Sequence, residues 1–255
     1  MELINYLEEA GVATIALNRP DSYNALTAHM LSELKHAFKK AESSSDIRCI
    51  VLTGNGKGFC SGQDLNEVPG DIDHGEMIRT SYAPVIKQMK ACEKPIVAAV
   101  NGVAAGAGFS LTLACDFRLM HEQANFMNAF IHVGLVPDSG NLLFLSRLIG
   151  EAKALELAIL GKKVQAAEAL TLGLATEVIK EEDWDLACKQ FASKLAAMPT
   201  QAIALIKRSL ILTHLQLDAY LIHEADMQRI AGKTFDHYEG VEAFKKKRKP
   251  VFSGC

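Results

Sequence analysis

Four short runs of apolar and β-branched residues punctuate the first 180 positions: VATIALN at 12–18, CIVLTG at 49–54, PIVAAVNG at 95–102 and LATEVI at 174–179. Each stops at Gly, Asn or a charge, and runs of this length between turn residues predict buried strands. Between them the period changes. TAHMLSELKHAFKKAE, 27–42, sets Met30, Leu31, Leu34 and Phe38 at helical spacing behind a Thr27 cap, and MIRTSYAPVIKQMKAC, 77–92, reads as a second helix. Strands alternating with helices predict an α/β fold. From about residue 183 the strand signal ends, and helical patterns follow at 183–197, 200–213, 216–231 and 236–248. We divide the chain into an α/β core at 1–190, holding the site, and a helical region at 191–255. At about sixty residues the latter is small for a core of its own, and is expected to pack on the α/β part or on another subunit.

With 255 residues, 49% of them hydrophobic, the chain can bury a large core, and its net charge of −3 gives no reason to expect nucleic acid or a membrane surface as partner. No apolar run reaches eighteen residues, and MELINYLEEAG lacks the basic start of a signal peptide, so a cytoplasmic location is expected. The six cysteines, at 49, 60, 92, 115, 188 and 255, form no C-x-x-C pair and have no His at zinc-ligand spacing. They read as isolated thiols rather than disulfides or metal ligands.

Two glycine-rich segments follow predicted strands. TGNGKGFCSGQDL, 53–65, has neither the G-x-G-x-x-G nor the G-x-x-x-x-G-K-[ST] order, so a phosphate loop is a poor fit. NGVAAGAGFSLTLACD, 101–116, brings Gly102, Gly106 and Gly108 ahead of an apolar run suited to a buried helix. A glycine-rich turn opening a helix leaves N–H groups without intrahelical partners, where an oxyanion can sit. The plainer reading is that small residues permit close strand–helix packing.

FCSGQDL (59–65), KPIVAAVNGVAAGAG (94–108) and ANFMNAFIHVGLVPDSG (124–140), at their mutual spacing, resemble the crotonase superfamily, the enoyl-CoA hydratases and isomerases. IALNRPDSYNALT (15–27) and GVEAFKKKRKPVF (240–252) extend the likeness over nearly the whole chain. The resemblance implies a crotonase-type spiral of ββα units with a C-terminal helical trimerisation region, assembled as a homotrimer or hexamer. It implies an acyl-CoA thioester as substrate, with coenzyme A entering only as part of it, and no metal or redox cofactor. The thioester oxygen would be held by the backbone N–H groups of Gln63 and Ala107. Gln63, Asp64, Leu65 and Asn66 would border the CoA arm and Ala25 and Leu26 the adenine, with Ser61, Gly108, Ser110 and Phe130 also substrate-binding and the acyl pocket formed by residues such as those between Val68 and Met77. Lys247 would meet the CoA phosphates, with Phe244 beside the adenine. On the residues alone, Asp64 reads equally as a loop brace and the 245–249 lysine run as a solvated face.

Hydratases of the superfamily hold their water between two glutamates, and the matching positions here are Ser110 and Phe130. That leaves Asp138, where single-acid isomerases, the phenylacetate-pathway epoxide isomerase among them, carry their catalytic group. A 1,3-proton shift needs one base, and an apolar surrounding raises an Asp toward useful basicity. In a P-D-S-G context the same residue also suits a turn or the cap of the following helix. The resemblance favours a Δ3,Δ2-enoyl-CoA or ring-epoxide acyl-CoA isomerase with Asp138 as base. The alternatives are a hydratase recruiting Glu67 or Glu76, and an inactive CoA-binding scaffold. His132, between Ile131 and Val133, reads as a packed residue, and no G-x-S-x-G elbow supports Ser61 or Ser139 as a nucleophile.

Overall fold

A computed structural model describes residues 2–66, 72–212 and 217–251. The chain runs β1 (Ile4–Glu9), β2 (Val12–Leu17), α1 (Ala28–Ser43), β3 (Cys49–Gly54), β4 (Gly58–Cys60), α2 (His74–Met77) and α3 (Ala83–Ala91). It continues β5 (Ile96–Val100), β6 (Val103–Ala105), α4 (Ala107–Ala114), β7 (Phe117–His121), β8 (Asn125–Met127), α5 (Asn141–Ile149), α6 (Glu151–Leu160), β9 (Lys163–Gln165), α7 (Ala166–Thr171) and β10 (Glu177–Ile179). Four helices close it: α8 (Trp184–Ala196), α9 (Thr200–Leu212), α10 (Leu217–Ala231) and α11 (Phe235–Lys245).

Three successive units repeat one device. In β3–β4, β5–β6 and β7–β8, the first strand joins a six-stranded sheet ordered β1-β2-β3-β5-β7-β10. The second joins a four-stranded sheet ordered β4-β6-β8-β9. β2, β3, β5, β7 and β10 run parallel, with only β1 antiparallel at the edge. The central strands β2, β3 and β5 are largely apolar because they pack on both faces. Ile50 and Leu52 face the main core, whereas Cys49 and Val51 face a second cluster with Val97, Ala99, Ala192 and Leu195. That cluster places α8 on the sheet, so the boundary at 190 falls inside a helix that covers the core.

The helix expected at 77–92 is interrupted: α2, a π turn at Ile78–Tyr82 and α3 follow one another, with Pro84 at the start of α3. Proline has no N–H for the helical ladder, and the backbone widens ahead of it. Thr27 caps α1 as expected, its side chain accepting from Met30 N. β1, β4, β6, β7, β8 and β9 lie outside the predicted strands. β1 buries only Ile4, β7 carries Arg118 and His121, and the others are too short to show a period.

Candidate functional site

The site gathers at the carboxyl ends of three neighbouring strands of the small sheet, where open parallel sheets commonly bind ligands. β4 leads to Gln63, β6 to Ala107 and β8 to the loop bearing Asp138, and β6 pairs in parallel with both β4 and β8.

Gln63 forms a parallel bridge with Leu26, in which Leu26 N donates to Gly62 O at 2.7 Å and Asp64 N donates to Leu26 O at 3.0 Å. That geometry turns the N–H of Gln63 away from Leu26. Gly62 lies on the other side against Ala105 and Ala107, since a Cβ on it would sit 3.0 Å from Ala105 O and 3.5 Å from Ala107 N. Gly106, at φ +50°, turns the chain from β6 into α4, and its own N–H is used on Met127 O at 3.0 Å. The Ala107 N–H that follows opens the helix with no preceding turn to receive it. Gly108 is required for closeness rather than for a ligand: a Cβ there would lie 2.3 Å from Cys60 O and 2.7 Å from Cys60 Cβ.

Asp138 is 4% exposed, in the loop between a 3-10 turn at Ala129–Val133 and α5. It does not cap α5; the cap residue is Gly140, with no side-chain bond. Its carboxylate accepts from Ser139 Oγ at 2.9 Å (Oδ1) and from Gln228 Nε2 at 2.8 Å (Oδ2). Burial pushes the acid up to about 6, outweighing these two donors, which favour the charged form. Ser110 is fully buried and donates to Asp138 O at 3.0 Å, so it fixes the backbone at Asp138. Phe130 is 7% exposed, its Cζ 4.0 Å from the place of a Cβ on Gly106. The two positions that would hold a hydratase's water thus hold a hydroxyl committed to the protein and an aromatic ring. The Tyr82 hydroxyl is buried without a hydrogen-bond partner among the described residues, and interacts electrostatically with Asp138, Cys60 and Asp64.

Two residues of this site have no signal in the sequence. Glu224 and Gln228 on α10 are 3% and 1% exposed. Gln228 Oε1 accepts from Val136 N at 3.2 Å, while Glu224 receives the Gly140 N–H on both oxygens, at 2.9 and 3.0 Å. Burial, then the charge of Asp138, pushes Glu224 up to about 9, so it is a neutral acid at pH 7. The isolated carboxylate read from HVGLVPDSG therefore has a second carboxyl behind it.

The remaining candidates divide. Arg19 pairs with Asp64 at 2.8 Å and donates to Ala25 O at 2.6 Å, and Asp64 also accepts from Asn66 N at 3.0 Å. Asp64 is thus the brace of its loop. Leu26 and Asp64 line a 390 Å³ cleft with Thr27, Ile72, Glu76 and Met77, and Gln63 Nε2 reaches Met77 Sδ at 3.1 Å. Ala25 is buried, Leu65 half-buried, and Ser61 and Asn66 exposed. Phe244 is 60% exposed and Lys247 sits in a left-handed turn at φ +52°. No hydrogen bond or ion pair joins either to Ala25, Leu26 or residues 61–66 among the described residues. Glu76 pairs with Arg79, and Glu67, like Val68, lies outside the described residues. His132 bonds Gly161 O at 2.9 Å, a packing role. A larger groove of 1240 Å³ crosses the outer face of the big sheet, and Gln63, Ala107 and Asp138 are not among its lining residues. Among the described residues no group of His, Cys, Asp and Glu could hold a metal ion, and no helix is long and apolar enough to cross a membrane.

The chain matches the family model described as enoyl-CoA hydratase/isomerase over residues 7–254. It belongs to that family, the crotonases, and is an enzyme of it. It is 40% identical to the 1,2-epoxyphenylacetyl-CoA isomerase of Escherichia coli (strain K12), over 100% of this chain and 99% of that one. It is 30% identical to the short-chain-enoyl-CoA hydratase of Clostridium acetobutylicum, over 98% and 97%. The crystal structure of an enoyl-CoA hydratase from Mycobacterium avium subsp. paratuberculosis K-10 superposes with a TM-score of 0.91 at 32% identity, covering 99% of both chains.

Proposed function

We propose that this protein is an acyl-CoA isomerase that moves a proton along the acyl chain with one base, Asp138, while the N–H groups of Gln63 and Ala107 hold the thioester oxygen. The observation that carries this reading is a buried, desolvated Asp138 beside positions that lack both hydratase glutamates, Ser110 and Phe130. In a 3-enoyl-CoA the C2–H bond breaks and its proton passes to the Asp138 carboxylate. The electron pair moves into the thioester, and the charge on its oxygen meets the two backbone donors. A preorganised donor in such a place is worth roughly 2.7–4 kcal/mol. The protonated Asp138 then protonates C4, the double bond shifts to C2–C3, and the base is restored. A group near 6 is ionised at pH 7 yet acidic enough to return its proton.

A second substrate class, a ring-epoxide acyl-CoA, is favoured by the 40% identity to the E. coli isomerase of that name. The same reading carries an expected homotrimer or hexamer, supported by exposed apolar side chains on α9 and α10, among them Ile206, Ile222 and Ile230.

The test is the pH dependence of kcat/KM on a 3-enoyl-CoA. The base must be ionised, so kcat/KM rises about tenfold per pH unit below the acid's value and levels above about 6. Isomerisation with a flat profile between pH 4.5 and 8 would remove Asp138 as the base.

A further inference from the structure

Helix α10 grips the loop bearing Asp138 at three points with two side chains one turn apart. Gln228 meets Val136 N and Asp138 Oδ2, and Glu224 meets Gly140 N. The Val136 contact determines the Asp138 contact. A backbone N–H only donates and a carboxylate only accepts, so the Gln228 amide has one orientation, with its NH₂ toward Asp138. The loop needs such holding. Ser139 adopts φ +59°, a region that costs a non-glycine residue roughly 1–3 kcal/mol and persists only where the surroundings over-determine it. In that conformation its hydroxyl donates to Asp138 Oδ1.

We infer that Gln228 is the positioning residue of the base: its amide, oriented by Val136 N, holds the Asp138 carboxylate from behind and leaves the remaining lone pairs to the substrate. The inference rests on the reading of Asp138 as base. It assigns α10, which the sequence placed in an oligomerisation region, a part in the active site. The titratable groups facing Asp138 are Glu224 from α10 and Tyr82 from the π turn, and Ser139 and Gln228 supply its neutral donors. Since the Gln228 bond favours ionised Asp138, removing it makes the acid harder to ionise.

Two variants test this, Gln228→Met and Gln228→Glu. The ionisation of Asp138 is followed by infrared difference spectroscopy against Asp138→Asn between pH 4 and 9, alongside kcat and KM. Gln228→Met is expected to move the midpoint up by about one unit. It should also lower kcat about tenfold or more, with KM within about twofold, because the base is no longer held on line. Gln228→Glu keeps the length and the acceptor for Val136 N but sets a second carboxyl against Oδ2. Its midpoint moves further up as the pair comes to share a proton. Should the Met variant not fold, the Glu variant decides. Isomerisation with a midpoint and kcat indifferent to the substitutions overturns the inference alone. A midpoint that follows Gln228 in a protein that isomerises nothing upholds the clamp and overturns the proposed function.

Discussion

Asp138→Asn abolishes isomerisation and, at pH 7, raises the melting temperature. The first effect follows from removing the proposed base, and a general base is worth about 10²–10⁴ in rate. The shape is preserved. An Asn amide oxygen still accepts from Gln228, and its NH₂ can donate to the Ser139 hydroxyl, so folding and ligand binding survive. The second effect follows from proton linkage. The folded chain holds the Asp138 carboxyl at about 6 against 3.8 for the ordinary group, so it binds this proton more tightly than the unfolded chain. Stability is therefore lost as pH rises from 3.8 to 6, and above 6 the whole cost is present, on the order of 2–3 kcal/mol. The variant does not bear it. Melting curves of both proteins at pH 4 and pH 7 check the sign: the difference should be large at pH 7 and shrink toward pH 4. Undiminished isomerisation in the variant contradicts the assignment.

Gly108→Ala disables the enzyme through the backbone. The donors of Gln63 and Ala107 cannot be removed by changing their own side chains, but α4 can be pushed off β4. A methyl group on Gly108 would stand 2.3 Å from Cys60 O, 2.7 Å from Cys60 Cβ and 2.8 Å from Cys60 Sγ. These are backbone and near-backbone atoms of a buried strand, so the helix must retreat, and the Ala107 N–H moves away from Gln63 with it. Overpacking of this kind costs about 1–3 kcal/mol. Misplacing one oxyanion donor costs about 10²–10³ in kcat. A lowered melting temperature together with a fall in kcat of at least about a hundredfold is expected. A variant with native melting and native kcat would show that α4 does not need this contact, and that Ala107 is not held where catalysis requires it.

What the sequence disclosed and what it hid follow from distance along the chain. The strands around 12–18, 49–54 and 95–102 were legible because they pack against apolar clusters on both faces, leaving few polar positions to blur the apolar runs. Gln63, Ala107 and Asp138 were named together only through the family resemblance carried by motifs of fixed spacing; in the fold each follows a strand of one small sheet. Glu224 and Gln228 were not. They meet the Asp138 loop across separations of 84 and 90 residues, and on a helix a glutamate and a glutamine read as a solvated face. Only the tertiary packing of α10 against α2 and the π turn turns them inward. Asp64 braces its loop as its place in SGQDL allowed, but the partner that claims its carboxylate, Arg19, lies forty-five residues earlier and carried no signal. The division at 190 failed for a related reason, since a run of helices does not disclose that the first of them covers the sheet.

The proposed function requires one base and no paired water site. It is tested most directly by incubating the protein with a 3-enoyl-CoA and, separately, with crotonyl-CoA in deuterated water, and following product and label by mass spectrometry. The 2-enoyl isomer is expected from the first, with deuterium at C2 or C4, and little hydration of the second. Rapid addition of water to crotonyl-CoA would contradict it, because a carboxylate other than Asp138 would then have to hold that water.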